Sequence, residues 1–377
     1  MKPGKLGSFL AALALLAPAS AFVVAQQPPA PPAVLQPPVP ANAKAAPTPD
    51  PDPLVGPPAL DMLNTALSPK KEEETTVPPK VPEFFGDQTP IGSWRSLPNG
   101  QIRGMGAIYV PTARYFKISD NGSPLPQTAF TFSFNYFYNL FDVVNTRTGD
   151  GIQHTRIHRE VFAIELADED GTGSFGMRLP LNTYNAANSI DGLDGTGTDL
   201  GDLTVYWKYR LWRDDASGSL LSAGLAVTPT TAVGSFAGTP NLKVFHNTCL
   251  QPFCGWIWRH DAVYLQGFTA VDGPTDLNDV VMLQNSVAAG YVLYQGGKGE
   301  CLTAVIPTVE LHLSTPLNHR GVMAMDDPAG NTDQLNLTGG INFEYGDASS
   351  AGIAFVRPLI GPRMFNFQVV FQVRYRY

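Results

Sequence analysis

The chain has 377 residues, of which 44% are hydrophobic and only 15% charged, with a formal net charge of −8. The negative balance and the lack of a long basic run exclude nucleic acid as a partner, and only the N-terminus approaches the ~18 apolar residues that a membrane-crossing helix needs. A charged fraction this far below the ~25% of soluble domains fits strands in which polar and apolar residues alternate.

The chain opens on Lys2 and Lys5, then a short apolar run from Phe9 to Leu16, then small residues at Ala19-Ser20-Ala21 and Val23-Val24-Ala25. This is the pattern of a secretory signal peptide over residues 1–25. Residues 26–82 are rich in Pro and Ala and read as a disordered or polyproline II-like arm, because Pro cannot donate ladder hydrogen bonds. Within it, residues 59–67 have the composition for one or two helical turns, and Lys70–Glu74 is a solvated charge run.

From about Gly104 the texture changes to amphipathic strands. Phe130, Phe132, Phe134, Tyr136 and Tyr138 share one parity, as do Phe162, Ile164 and Leu166. Phe175, Met177, Leu179 and Leu181 follow, and then Leu203, Val205, Trp207, Tyr209 and Leu211. Leu221, Ala223, Leu225 and Val227 form the next such row. An irregular stretch is expected over residues 232–259, after which Val287, Ala289, Tyr291 and Leu293 resume the alternation. Val305, Val309, Leu311 and Leu313, then Leu335, Leu337, Ile341, Phe343 and Tyr345, continue it. The count comes to about 12 strands, many near the ~9–11 residues that a tilted strand needs to cross a bilayer; it depends on how residues 114–120 are read.

Turn lengths are asymmetric. "DEDGT" at 168–172, "RDDASG" at 213–218 and "GDASS" at 346–350 are tight, whereas 182–201, 232–259 and 316–332 are long. Short turns at one rim and long loops at the other characterise membrane barrels. If the apolar rows face lipid, the opposite parity lines a lumen. Its candidate lining is Arg178, Tyr206, Lys208, Arg210, Gln266, Glu310, His312, Asn342, Glu344, Gln368, Gln372, Arg374 and Arg376. A charge facing lipid at the midplane would cost ~2–4 kcal/mol, so parity is the test. Arg357 breaks it and, preceding Pro358, is assigned to a rim or bulge.

Chemical motifs are sparse. Ser174 in "TGSFG" lacks the first glycine of a nucleophile elbow. His154 and His158 are four apart, which on a strand is no metal pair. "DGLDGTGTD" at 191–199 alternates carboxylates with glycine in the manner of a calcium loop, although a surface loop is the simpler reading. Neither a metal, a cofactor nor an enzymatic activity is expected. Cys249 and Cys254 flank "LQPF" and suggest a local disulfide in an oxidising compartment, leaving Cys301 odd.

The last stretch, "MFNFQVVFQVRYRY", alternates to the final residue. Phe365, Phe367, Val369, Phe371, Val373, Tyr375 and Tyr377 lie on one face, and Val370 is the apolar intruder on the other. A soluble sandwich strand and the closing strand of a membrane barrel both fit this stretch alone. The low charge, the loop asymmetry and the parity decide for the barrel. Phe371, Val373, Tyr375 and Tyr377 then serve as a C-terminal insertion signal.

Two segments add a resemblance. "YFKISDNGSPLPQTAFTFSFNYFYNLF" resembles the opening of outer-membrane transporter barrels of planctomycete-type bacteria. "LGDLTVYWKYRLW" followed by "LLSAGLAVTPT" is similar to a hairpin of the phenol meta-pathway outer-membrane proteins. The resemblance covers roughly residues 115–377 and implies a membrane barrel passing small solutes, hydrophobic or aromatic ones included; no catalytic residue comes with it. The expectation is an all-β antiparallel transmembrane barrel over residues 83–377 behind a disordered arm. It would be a passive outer-membrane channel, or alternatively a non-conducting structural or adhesive barrel that displays loops and the arm. Its expected partners are outer-membrane lipid, the barrel-assembly machinery and a small solute.

Overall fold

The computed structural model describes residues 80–88, 92–96, 107–111, 116–143, 146, 153–187, 195–239, 246–297, 299–321 and 329–377. The signal-peptide reading and nearly all of the arm lie outside them. Residues 80–82, read as the end of the arm, do not.

Sixteen strands are present among the described residues. A hairpin, β1 (Gly92–Ser96) with β2 (Ala107–Pro111), stands apart as its own two-stranded sheet. Twelve strands form the wall: β3 (Ala129–Tyr138), β4 (Gln153–Ala167), β5 (Gly173–Ala187), β7 (Thr204–Arg213), β8 (Leu220–Thr228), β9 (Cys249–His260), β10 (Val263–Pro274), β11 (Met282–Tyr291), β13 (Leu302–Pro316), β14 (Gln334–Tyr345), β15 (Ser349–Ile360) and β16 (Phe367–Arg376). Two short strands extend it, β6 (Gly195–Leu200) on β5 and β12 (Tyr294–Gln295) on β13. Every pairing between these strands is antiparallel, and β16 zips onto β3 from Phe367↔Tyr138 to Arg376↔Ala129. The wall is closed and has no edge, the only β-architecture that satisfies its backbone in hydrocarbon. Residues 117–122 form turns and add no strand.

The expected loop asymmetry is present. One rim carries the turns at 168–172, 214–219, 261–262 and 346–348, one longer connection at 292–301, and the C-terminus, where the Tyr377 N–H donates to the Thr128 carbonyl. The other carries the long connections. The irregular stretch expected over 232–259 is shorter than that, because residues 249–260 are strand β9. Its inward row includes Phe253 and Ile257, so it lacks the polar–apolar alternation that marks other strands.

The wall is inside-out relative to a soluble fold. Outward side chains are large and apolar: Phe162 is 43% exposed, Leu311 44%, Phe355 48% and Phe371 42%. Inward ones include Ser133, Asn135, Gln266, Glu310, Thr338 and Gln368, all fully buried. Arg357 points outward opposite Leu337, beside a register shift at Leu335/Asn336.

Candidate functional site

Two aperiodic segments fill the lumen. Residues 80–88 enter at the short-turn rim, where Lys80 Nζ donates to the Asp347 carbonyl and Gln266 Nε2 donates to the Pro82 carbonyl at 2.8 Å. They end deep in the other half, where Arg159 NH1 donates to the Gln88 carbonyl at 3.1 Å. Residues 116–127 run back. Gln251 Nε2 donates to the Phe116 carbonyl at 3.0 Å, and at the far end the Gln127 N–H donates to Glu165 Oε1 at 3.2 Å. Asp87 and Lys117 form a buried ion pair that ties the two segments together.

The segments sit on the inward residues named from the sequence. Arg374 NH1 lies 2.8 Å and Arg376 NH2 3.0 Å from Glu83 Oε1. Arg376 also reaches Glu344 at 2.8 Å, and Arg374 NH2 donates to the Asn121 carbonyl at 2.8 Å. Glu310 accepts the backbone N–H groups of Phe85 and Gly86 at 2.8 and 3.0 Å. Arg178 donates to the Asp120 carbonyl at 2.8 Å and lies 3.9 Å over the Phe116 ring. Lys208 pairs with Glu165 at 2.8 Å, and Tyr206 Oη donates to the same carboxylate. Gln372 accepts from Asn121 and donates to Asn342; Gln368 donates to Asn135. A charge so deeply buried persists only when paired and hydrogen-bonded, and this network supplies both.

Arg210 differs from the other inward candidates. It is half-exposed at the short-turn rim, bonded to the Asp170 carbonyl and Thr172 Oγ1, because β7 shifts register between Arg210 and Trp212. Phe371, Val373, Tyr375 and Tyr377 all face outward and are exposed. The suggested Cys249–Cys254 disulfide is corrected: no disulfide joins the two. They lie on one strand at opposite parity, so their side chains leave opposite faces, and five residues of strand separate them by well over the ~7 Å that a disulfide bridges.

Sequence reasoning missed Glu83, Asp87, Asp120, Glu165 and Arg159. It also missed that Ser286, His312 and Glu310 come together. His312 Nδ1 is 2.9 Å from Ser286 Oγ, and Nε2 is 3.0 Å from Glu310 Oε2. The serine hydroxyl also meets Ser119 Oγ at 2.9 Å. The group is sealed under residues 85–86, and its carboxylate is already taken by two backbone donors. It satisfies buried polar atoms in this state.

The inward charges are segregated around the wall. Arg159, Arg178, Lys208, Arg374 and Arg376 lie on β4, β5, β7 and β16, within one contiguous arc; Glu165 is the anion among them. Asp272, Glu310 and Glu344 lie on β10, β13 and β14, in a second arc that meets the first where Glu344 pairs with Arg376.

No family model matches the chain, and no curated protein matches it. Among solved structures, an outer membrane channel from Pseudomonas putida F1 is similar at 14% identity and a TM-score of 0.46, covering 67% of this chain and 97% of that one. The KdgM porin is similar at 6% identity and a TM-score of 0.37, covering 66% and 99%. The β domain of the Bordetella autotransporter BrkA is similar at 10% and 0.42, covering 66% and 99%. At these identities and scores the likenesses are of barrel to barrel and bear on neither substrate nor mechanism. The likeness to the phenol meta-pathway proteins stays a resemblance.

Proposed function

We propose that the chain is an outer-membrane β-barrel channel for small solutes, held shut by its own residues 80–88 and 116–127. The observation that carries this reading is the wall's polarity. An exposed apolar outer face is costly in water and favourable in hydrocarbon, while the inner face is polar enough to wet once vacated. Segment 80–88 closes the lumen through hydrogen bonds, ion pairs and the packing of Phe84 and Phe85, with no disulfide and no strand ladder. A closure of that kind is reversible. The signal-peptide pattern, the short turns and Lys80 at the same rim fit insertion from a periplasmic side, with the arm left there. Bilayer lipid covers the outer face, the assembly machinery reads the terminal aromatics, and solute passes by diffusion when segment 80–88 withdraws.

The filled lumen favours a second reading, a permanently closed structural barrel that anchors the arm. Single-channel conductance in planar bilayers separates the two. The full-length protein is expected to conduct rarely, and Glu83→Ala combined with Phe85→Ala is expected to give stable steps. Insertion of both proteins without any steps would leave the closed barrel. A soluble folded product would end the membrane reading.

A further inference from the structure

We propose that the lumen wall beneath residues 83–86 is a binding site for small aromatic carboxylates that carry an N–H donor, and that Glu83, Phe84 and Phe85 occupy it as a built-in mimic. The inference rests on the channel reading and names its substrate class. Three complementary features lie within four residues of chain. A carboxylate, Glu83, meets two guanidiniums on β16. Two phenyl rings are fully buried: Phe84 lies 5.7 Å from Phe268, and Phe85 rests against Gly340 and Gly352, where a Cβ would come within 2.5 and 2.7 Å of its ring. Two backbone N–H groups point at Glu310 on the second arc.

The cationic end is under-used by the mimic. Glu83 presents a single oxygen, Oε1, to both guanidiniums. Arg374 Nε and Arg376 Nε are buried with no hydrogen-bond partner among the described residues, although both side chains are more than nine-tenths buried. An arginine fork binds a carboxylate best through two parallel N–H···O bonds. Arg376 already forks onto Glu344 at 2.8 and 3.4 Å, so the open fork is Arg374 Nε with NH1, which a free carboxylate, untied to the chain, can take where Glu83 does not. The glycines at 340 and 352 leave room for a ring, and Glu310 supplies an acceptor for an amide N–H. The charge segregation around the lumen orients such a ligand, with its carboxylate toward β16 and its donor toward β13.

Equilibrium dialysis in detergent tests this with three probes: N-acetylphenylalaninate, N-acetylphenylalaninamide and acetate. The proteins are the full-length chain, Glu83→Ala, and Glu83→Ala with Phe85→Ala, each checked for a folded barrel. Losing a charge-assisted bidentate bond costs a ligand about tenfold or more in affinity. The acid should therefore bind the double variant at least about tenfold tighter than the amide or acetate. It should bind the natural chain more weakly, because the mimic is seated, and adding Arg374→Ala to the double variant should abolish the preference. Equal binding of acid and amide, or no binding to either variant, overturns the proposal. Binding without any bilayer conductance would instead overturn the channel reading and leave the site standing.

Discussion

Glu83 and Arg376 stand 3.0 Å apart inside the barrel although 293 positions separate them in the chain. The contact joins the first luminal residues to the closing strand at the short-turn rim. It therefore couples the seating of segment 80–88 to the zipping of β16 onto β3. Removing one partner of a buried pair leaves an uncompensated charge and typically costs ~3–5 kcal/mol. Glu83→Ala leaves the Arg374 guanidinium in that state, whereas Arg376 keeps Glu344. The expected outcome is a destabilised plug in an intact wall. Lys117, buried in the seated state, should become a trypsin site, detected by mass after limited digestion, while the wall resists.

The same carboxylate sets an acid limit. Burial pushes the Glu83 carboxyl up, and the Arg374 and Arg376 guanidiniums more than offset this, holding it at about 2 against an ordinary 4.5. A group with a lowered value contributes fully above its ordinary value, and the contribution is lost as pH falls through the lowered one. The Glu83 contribution to plug seating is thus expected to be level from neutral pH to about 4.5, then to weaken toward about 2. Conductance recorded across that range should rise only in the acid window. Glu83→Gln should remove this component, and a natural chain with a flat profile would contradict the assignment.

Gly86 is the hinge of the luminal turn. Its φ is +78°, and a Cβ there would lie 2.3 Å from Asp120 Oδ1 and 2.7 Å from Asp120 Cα. Asp120 cannot yield easily, since its carboxylate accepts the backbone N–H groups of Asp87, Gln88 and Lys117. Gly86→Ala combines a left-handed backbone penalty of ~1–2 kcal/mol with this clash. It should unseat the plug without touching any charge. The readouts are trypsin cleavage at Lys117 and bilayer conductance, and a change in neither would mean that residues 86–88 have another stable route.

How much of this was legible in the sequence follows from periodicity. Rows such as Phe162-Ile164-Leu166 and Leu311-Leu313 alternate strictly and mark wall strands, and their opposite parity names the inward residues. β9 hid because its inward row carries Ile257 and Phe253, the latter in the Phe84 cluster, and because Pro252 argues against a strand. The plug had no signal of that kind. "EFFGDQ" has no period, and its partners are side chains as far away as Arg376, 293 positions from Glu83. Val370 was the one hint. Placed as an intruder on a polar row, it belongs to the luminal cluster around Phe85, Phe137 and Phe365.

The cysteines offer a count. Cys249 faces inward and Cys254 outward on one strand, and Cys301 is exposed at the short-turn rim. Three thiols should react with a chromogenic disulfide reagent in denaturant without reductant, against one if a Cys249–Cys254 bridge existed. Of the three, Cys301 should label first in the folded protein, because it is exposed whereas Cys249 is buried and Cys254 half-buried.

The membrane reading has its own test in Leu311. This residue is 44% exposed on the outer face of β13, two positions from Val309 and Leu313, in mid-strand. Its chain neighbour Glu310 is fully buried in the lumen. On a soluble sheet, Leu311→Arg would place a charge in water and cost within about 0.5 kcal/mol. Facing the bilayer midplane, the same change costs ~2–4 kcal/mol. Folding into lipid vesicles, followed by denaturant titration, reads the difference directly. A loss in the larger range for Leu311→Arg, together with a small effect for an arginine at rim-facing Tyr377, would place hydrocarbon against this wall. Equal and small effects at both positions would mean that the apolar belt has some other cover.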